Sequence, residues 1–105
     1  MIFDIDVRGA KALKKSFPQA TFIFILPPSL ETLEQRLTKR GEVPPQELAR
    51  RLAKAQSELG EAHWYDFLVV NDDLEDALAR LQAVVLASRC RSSRLWPGLA
   101  GRFGY

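Results

Sequence analysis

Apolar and polar positions change their period several times along the chain, and each change marks an element. Residues 2–6, IFDID, alternate apolar and acidic as a strand does, and the following RGAKALKKSF repeats Ala10, Leu13 and Phe17 at helical spacing. Pro18 and Gln19 punctuate that helix. TFIFIL at 21–26 is then a continuous apolar, β-branched and aromatic run stopped by Pro27 and Pro28, the pattern of a strand buried on both faces. Ser29 is placed to cap a helix bearing Leu30, Leu33 and Leu37, for which Gly41 offers a C-terminal stop. Pro45 suits the first turn of a second helix, about 46–62, with Leu48, Leu52, Ala55 and Leu59 on one face and Arg50, Arg51 and Lys54 off it. DFLVV at 66–70 predicts a third strand. Asn71, Asp72 and Asp73 supply a cap and favourable charge for a last helix whose Leu74, Leu78, Leu81 and Val85 share a face.

The order β-α-β-α-α-β-α describes an α/β layered fold, and strands alternating with helices imply right-handed crossovers and a parallel sheet. From Ser92 the pattern dissolves, and residues 92–105 are expected to form an irregular basic tail.

Composition narrows the possibilities. With 47% hydrophobic and 27% charged residues, the chain is expected to fold, and its 105 residues suit one small domain. Cys90 has no cysteine to pair with, and one His with one Cys makes too few ligands for a structural zinc site; both fit a reducing compartment. The longest apolar run, 20–26, is far short of a membrane span and no secretory signal pattern opens the chain, so a cytoplasmic protein without membrane contact is expected. The net charge of +2 belongs to the tail: residues 89–105 hold four arginines and no acid, leaving eleven bases against thirteen acids before them. A nucleic-acid partner would rest on that tail alone and is not expected.

In an α/β sheet ligands collect at the carboxyl ends of strands, where the candidates are Asp4 and Asp6, the Pro27-Pro28-Ser29 loop, and Asn71 with its two aspartates. Carboxylates there suit a hard cation or a purine edge, yet by pattern they serve equally well to end a strand and cap a helix. Arg36, Arg40, Arg50 and Arg51 flank a Gly/Pro-rich turn between two helices. Converging guanidinium groups on a movable hairpin would grip phosphate. On pattern alone the alternative carries more weight, a solvated face paired with Glu31, Glu34, Glu42 and Glu47. His63, Trp64 and Tyr65 read as aromatic cover for a helix-to-strand corner rather than a catalytic cluster, and Cys90 as an inert thiol.

Taken in order, IDVRGA at 5–10, FIFILPPSLETLEQRL at 22–37, RGEVPPQELARRLAKAQSEL at 40–59 and YDFLVVNDDLEDAL at 65–78 resemble guanylate kinase. The resemblance covers residues 1–91 and corresponds to the C-terminal half of that enzyme. It implies part of a P-loop nucleoside monophosphate kinase fold, with a helical lid at about 36–55. It also implies the family's reaction, transfer of the γ-phosphoryl group of ATP to GMP with Mg2+ accompanying the ATP. By matching position, Arg36, Arg40 and Arg51 are the catalytic lid arginines, Arg36 and Arg40 also holding ATP. Asp4 and Asp6 match the family's DxD pair, which implies Asp6 toward the GMP guanine and Asp4 in the magnesium and phosphate network. Asn71 matches the residue along the adenine, and Pro28 borders the same face.

Nothing in the chain reads GxxxxGK[ST], and the GMP-binding segment is likewise missing. In the family the P-loop strand lies between those matching 2–6 and 21–26, so the sheet is expected to lack its central member. Met1 falls inside a block that should have a long upstream portion, so the chain is expected to be inactive without a partner supplying the N-terminal half. Two departures from the family are Arg8, often Gln, and the Pro44-Pro45 turn, usually acidic. The alternatives are a non-catalytic guanylate kinase-like module that binds peptides, and a truncated inactive gene product.

Overall fold

The computed structural model describes residues 3–39 and 43–105. The chain divides into two compact units, Met1–Asp72 and Asp73–Tyr105.

The first unit holds α1 (Val7–Ser16), β1 (Ile23–Leu26), α2 (Leu30–Lys39), α3 (Pro45–Leu59), a 3-10 turn (Ala62–Trp64) and β2 (Phe67–Val70). β1 and β2 pair in parallel, with Ile23 opposite Phe67 and Leu26 opposite Val70. Their connection carries the hairpin of α2 and α3, which pack on each other. Ser29 caps α2 as its sequence predicts, its Oγ accepting from the Thr32 amide at 3.1 Å. Pro45 opens α3, where its missing N–H costs nothing.

Two hydrogen bonds fasten the pair of strands, one through a side chain and one through the backbone. The Asp66 carboxylate accepts from the Phe22 amide at 2.7 Å just before the strands begin. At the other end the Asn71 backbone N–H donates to the Leu26 carbonyl at 2.7 Å. Aromatic rings cover the corner leading into β2: Trp64 stacks on Tyr65 at 4.1 Å, Phe22 meets Trp64 edge-on at 5.9 Å, and Phe24 meets Tyr65 at 4.8 Å.

Two expectations about the sheet are corrected. Residues 3–6 are not a strand, and Phe3 and Ile5 are exposed. Alternation alone cannot hold an extended segment, because an unpaired strand leaves its backbone groups without ladder bonds. Nor is β1 buried on both faces: Ile25 is 53% exposed although its register partner Val69 is 2% exposed. Carbonyls of Phe22 and Leu26 accept bonds from the β2 side, so the backbone of Ile23 and Ile25 turns to the opposite edge, which no strand among the described residues pairs.

The second unit contains α4 (Leu74–Arg89), α5 (Ser92–Leu99) and a 3-10 turn (Ala100–Phe103). Asp73 caps α4, accepting from the Glu75 amide at 3.3 Å, while Glu75 and Asp76 meet the positive end of its dipole. Leu74 and Leu78, expected on the packed face, are exposed. The expected irregular tail is in fact ordered into helices despite Pro97. Trp96 stacks with Phe103 at 6.4 Å, and the chain turns back at Gly104, whose φ of 86° favours glycine, to bring Tyr105 within 5.7 Å of the same indole.

Candidate functional site

The site is built where the two strands end. Leu26 and Val70 finish side by side, and the bond from the Asn71 amide to the Leu26 carbonyl brings the Pro27-Pro28 loop next to the Asn71-Asp72 loop. Pro28 is exposed on that rim and Asn71 half-buried.

Arg36 projects from α2 onto it. Its guanidinium donates to the Asn71 carbonyl at 2.9 Å and to the Asp72 carbonyl at 3.3 Å. A guanidinium has five N–H donors, so most of this one remains free for another acceptor while the two carbonyls fix its plane. Beneath the hairpin a recess of about 170 Å³ is lined by Phe24, Pro27, Leu33, Ala55 and Leu59, so both helices are seated against the end of β1.

The other predicted residues are placed less tightly. Arg51 donates to Glu47 Oε1 at 2.8 Å, one turn earlier on α3, and Arg50 lies 3.9 Å from the same oxygen. These are exposed helix ion pairs of the kind worth only a few tenths of a kcal/mol, about 0.3–0.5. Arg40 lies outside the described residues. Asp6 caps α1, accepting from the Gly9 amide at 2.8 Å, and a Cβ on Gly9 would stand 3.2 Å from that carboxylate oxygen. Asp4 is exposed in the segment before it. Among the described residues no hydrogen bond or ion pair links Asp4 or Asp6 to Arg36 or Arg51. The structure thus brings Arg36, Asn71 and the Pro28 loop together, while Asp6 and Arg51 are bonded within their own helices.

Asp6 does act electrostatically within the unit. Burial, followed by the negative charges of Glu58, Asp6 and Glu61, pushes the Tyr65 phenol above its ordinary value of 10.0. Glu61 is shifted the other way: a hydrogen bond from Lys11 holds its carboxyl below the usual 4.5, burial opposing and Trp64 assisting.

Asp66 is the residue that sequence reasoning missed, since its role depends on a backbone amide 44 positions away. Among the described residues no three His, Cys, Asp or Glu side chains cluster to hold a metal. No described helix is long and apolar enough to cross a membrane.

Comparison with known proteins places this sequence in a family. The guanylate kinase family model matches residues 1–88. The chain is 42% identical over 95 residues to the guanylate kinase of Carboxydothermus hydrogenoformans, covering 90% of this chain and 47% of that protein. With the guanylate kinase of Syntrophus aciditrophicus it is 46% identical over 101 residues, covering 96% of this chain and 48% of the relative. Syntrophotalea carbinolica supplies a third, 46% identical over 95 residues and covered over 45% of its length. The chain spans about half the length of the curated relatives it matches. Family match and relatives agree over nearly all of the sequence, and the chain belongs to the guanylate kinase family.

Proposed function

We propose that this chain supplies the lid and adenine side of a guanylate kinase, acting in transfer of the γ-phosphoryl group of ATP to GMP to form ADP and GDP. The observation that carries this is the attachment of Arg36 to the Asn71 loop. A lid arginine and the residue assigned to the adenine sit at one strand end, as an ATP site requires.

Arg36, Arg40 and Arg51 neutralise charge on the phosphates. Arg36 is oriented already, with unused donors; Arg51 exchanges its weak bond to Glu47 for a phosphate oxygen when the hairpin closes. Asn71 lies along the adenine and Pro28 flanks it. Asp6 faces the guanine of GMP while its second oxygen caps α1. Bound with the ATP, Mg2+ would supply charge neutralisation. An exposed carboxylate such as Asp4 fits that ion through its water shell, since magnesium keeps several waters and takes few protein ligands. In such transfers there is little covalent work for protein groups, so positioning and electrostatics are the whole contribution of these side chains. The work is done in the cytoplasm.

The open edge of β1 and the exposed Phe3, Ile5 and Ile25 support a further part of the reading. The phosphate loop and GMP-binding segment come from an N-terminal half whose central strand pairs along Ile23 and Ile25. Mixing the chain with a separately made N-terminal half of a related guanylate kinase tests this. GMP-dependent ADP formation by the complex, and by neither half alone, is the expected result; a soluble mixed complex without it refutes the proposal. Binding of a phosphopeptide with no nucleotide affinity would favour a non-catalytic module instead.

A further inference from the structure

A second concentration of positive charge lies away from the lid. Arg8, Lys11 and Lys15 are spaced to share one stripe of α1, and with Lys14, Ala12 and Trp64 they line an open recess of about 490 Å³. Among the described residues no carboxylate lines the recess, and of its four cations one, Lys11, is paired with a carboxylate, that of Glu61 at 2.6 Å. Among the described residues Arg8 and Lys15 have no carboxylate partner.

The floor is fixed. Trp64 Nε1 donates to Glu61 Oε2 at 2.9 Å, and the Lys14 ammonium donates to the Trp64 carbonyl at 3.0 Å while lying 4.9 Å from the indole centroid. Glu61 thereby orients both the indole and Lys11, and the indole orients Lys14. Two of the four cations are held in place before any ligand arrives, which lowers the ordering cost of binding.

We propose that this recess is an anion site that takes a di- or triphosphate group. Three uncompensated positive charges call for a multiply charged partner, and Arg8 supplies the planar fork that matches phosphate oxygens. The indole argues against an aromatic ligand, since it is already engaged by the Tyr65 ring stacked at 4.1 Å and by the Lys14 ammonium 4.9 Å from its centroid. Lys14 keeps donors for a ligand, because the Trp64 carbonyl satisfies only one of its three. The cavity volume lies in the range of small-ligand sites. Neither Arg36 nor Arg51 lines it, so the site is separate from the ATP phosphate contacts proposed for those two.

The chain has two tryptophans, and Trp96→Phe leaves Trp64 as the sole fluorescent reporter. Inorganic pyrophosphate titrated at constant ionic strength should give a saturable change in Trp64 emission. In Arg8→Ala/Lys15→Ala the apparent affinity should fall about tenfold or more, the loss of one charge-assisted contact being enough for that. In Arg80→Ala, which removes an exposed cation paired with Asp76 on α4, it should stay unchanged. Both α1 positions are exposed and alanine favours helix, so the double variant retains the recess backbone. Calorimetric titration of the natural chain with the same probe, with and without Arg8→Ala/Lys15→Ala, should show the same loss of affinity without the Trp96 substitution. No saturable binding, equal binding of sulfate, or saturation by a phosphoserine peptide but not by pyrophosphate would each overturn the proposal.

Discussion

The Arg36 guanidinium donates to the Asn71 carbonyl at 2.9 Å, fixing the first helix of the hairpin to the loop that ends β2. That relationship separates Arg36 from Arg51. One arginine is tied across 35 residues to the strand end, and the other only to a glutamate on its own helix.

Arg36→Ala should therefore lower stability by about 1–2 kcal/mol, the range for part-buried hydrogen bonds from a charged donor. Arg36→Lys should recover only part of it, since an ammonium cannot span two carbonyls in one plane. Urea unfolding followed by circular dichroism measures both.

Asp66→Ala should cost more, about 1–3 kcal/mol, by leaving the Phe22 amide without its acceptor at the head of the sheet. Asp66→Asn keeps an acceptor oxygen and should sit between the two. Thermal unfolding of the three proteins orders them.

Acid should weaken the link between α1 and the 3-10 turn. The Glu61 carboxyl is held below its ordinary value by Lys11, so its contribution is present above pH 4.5 and disappears as pH falls through the lowered value. Glu61→Gln should flatten the acid side of a Tm-against-pH profile without moving its alkaline side.

Alkali acts through Tyr65. Its raised value means the unfolded chain loses this proton first, so the stability from the neutral phenol is complete below pH 10 and is lost as pH rises through the raised value. In Tyr105→Phe, which leaves one tyrosine, absorbance titration should place Tyr65 ionisation above pH 10 in the folded protein and lower in urea.

How much of this was legible in the chain depends on where each signal is kept. The Ser29 and Asp73 caps and the Pro45 helix start rest on contacts within a few residues, and all three lie where the sequence predicts. The strand at 2–6 failed because a strand is completed by its neighbour, which periodicity does not contain. Pro97 and Gly98 hid a helix held together by Trp96 meeting Phe103 and Tyr105. At the site, charge pattern favoured a solvated face for the arginines. For Arg51 that pairing exists, whereas Arg36 is occupied by two carbonyls that no local rule could supply.

On the proposed function the hairpin arginines serve phosphate rather than the helix. The most direct test is the rate of GMP-dependent ADP formation in the complex with an N-terminal half, comparing Arg51→Ala with Glu47→Gln. If Arg51 closes onto phosphate, Arg51→Ala should lower kcat by about 10²–10³ while Glu47→Gln leaves it within about twofold of the parent. Equal rates for Arg51→Ala and the parent complex would contradict the account, and Arg51 would be a helix ion pair and nothing more.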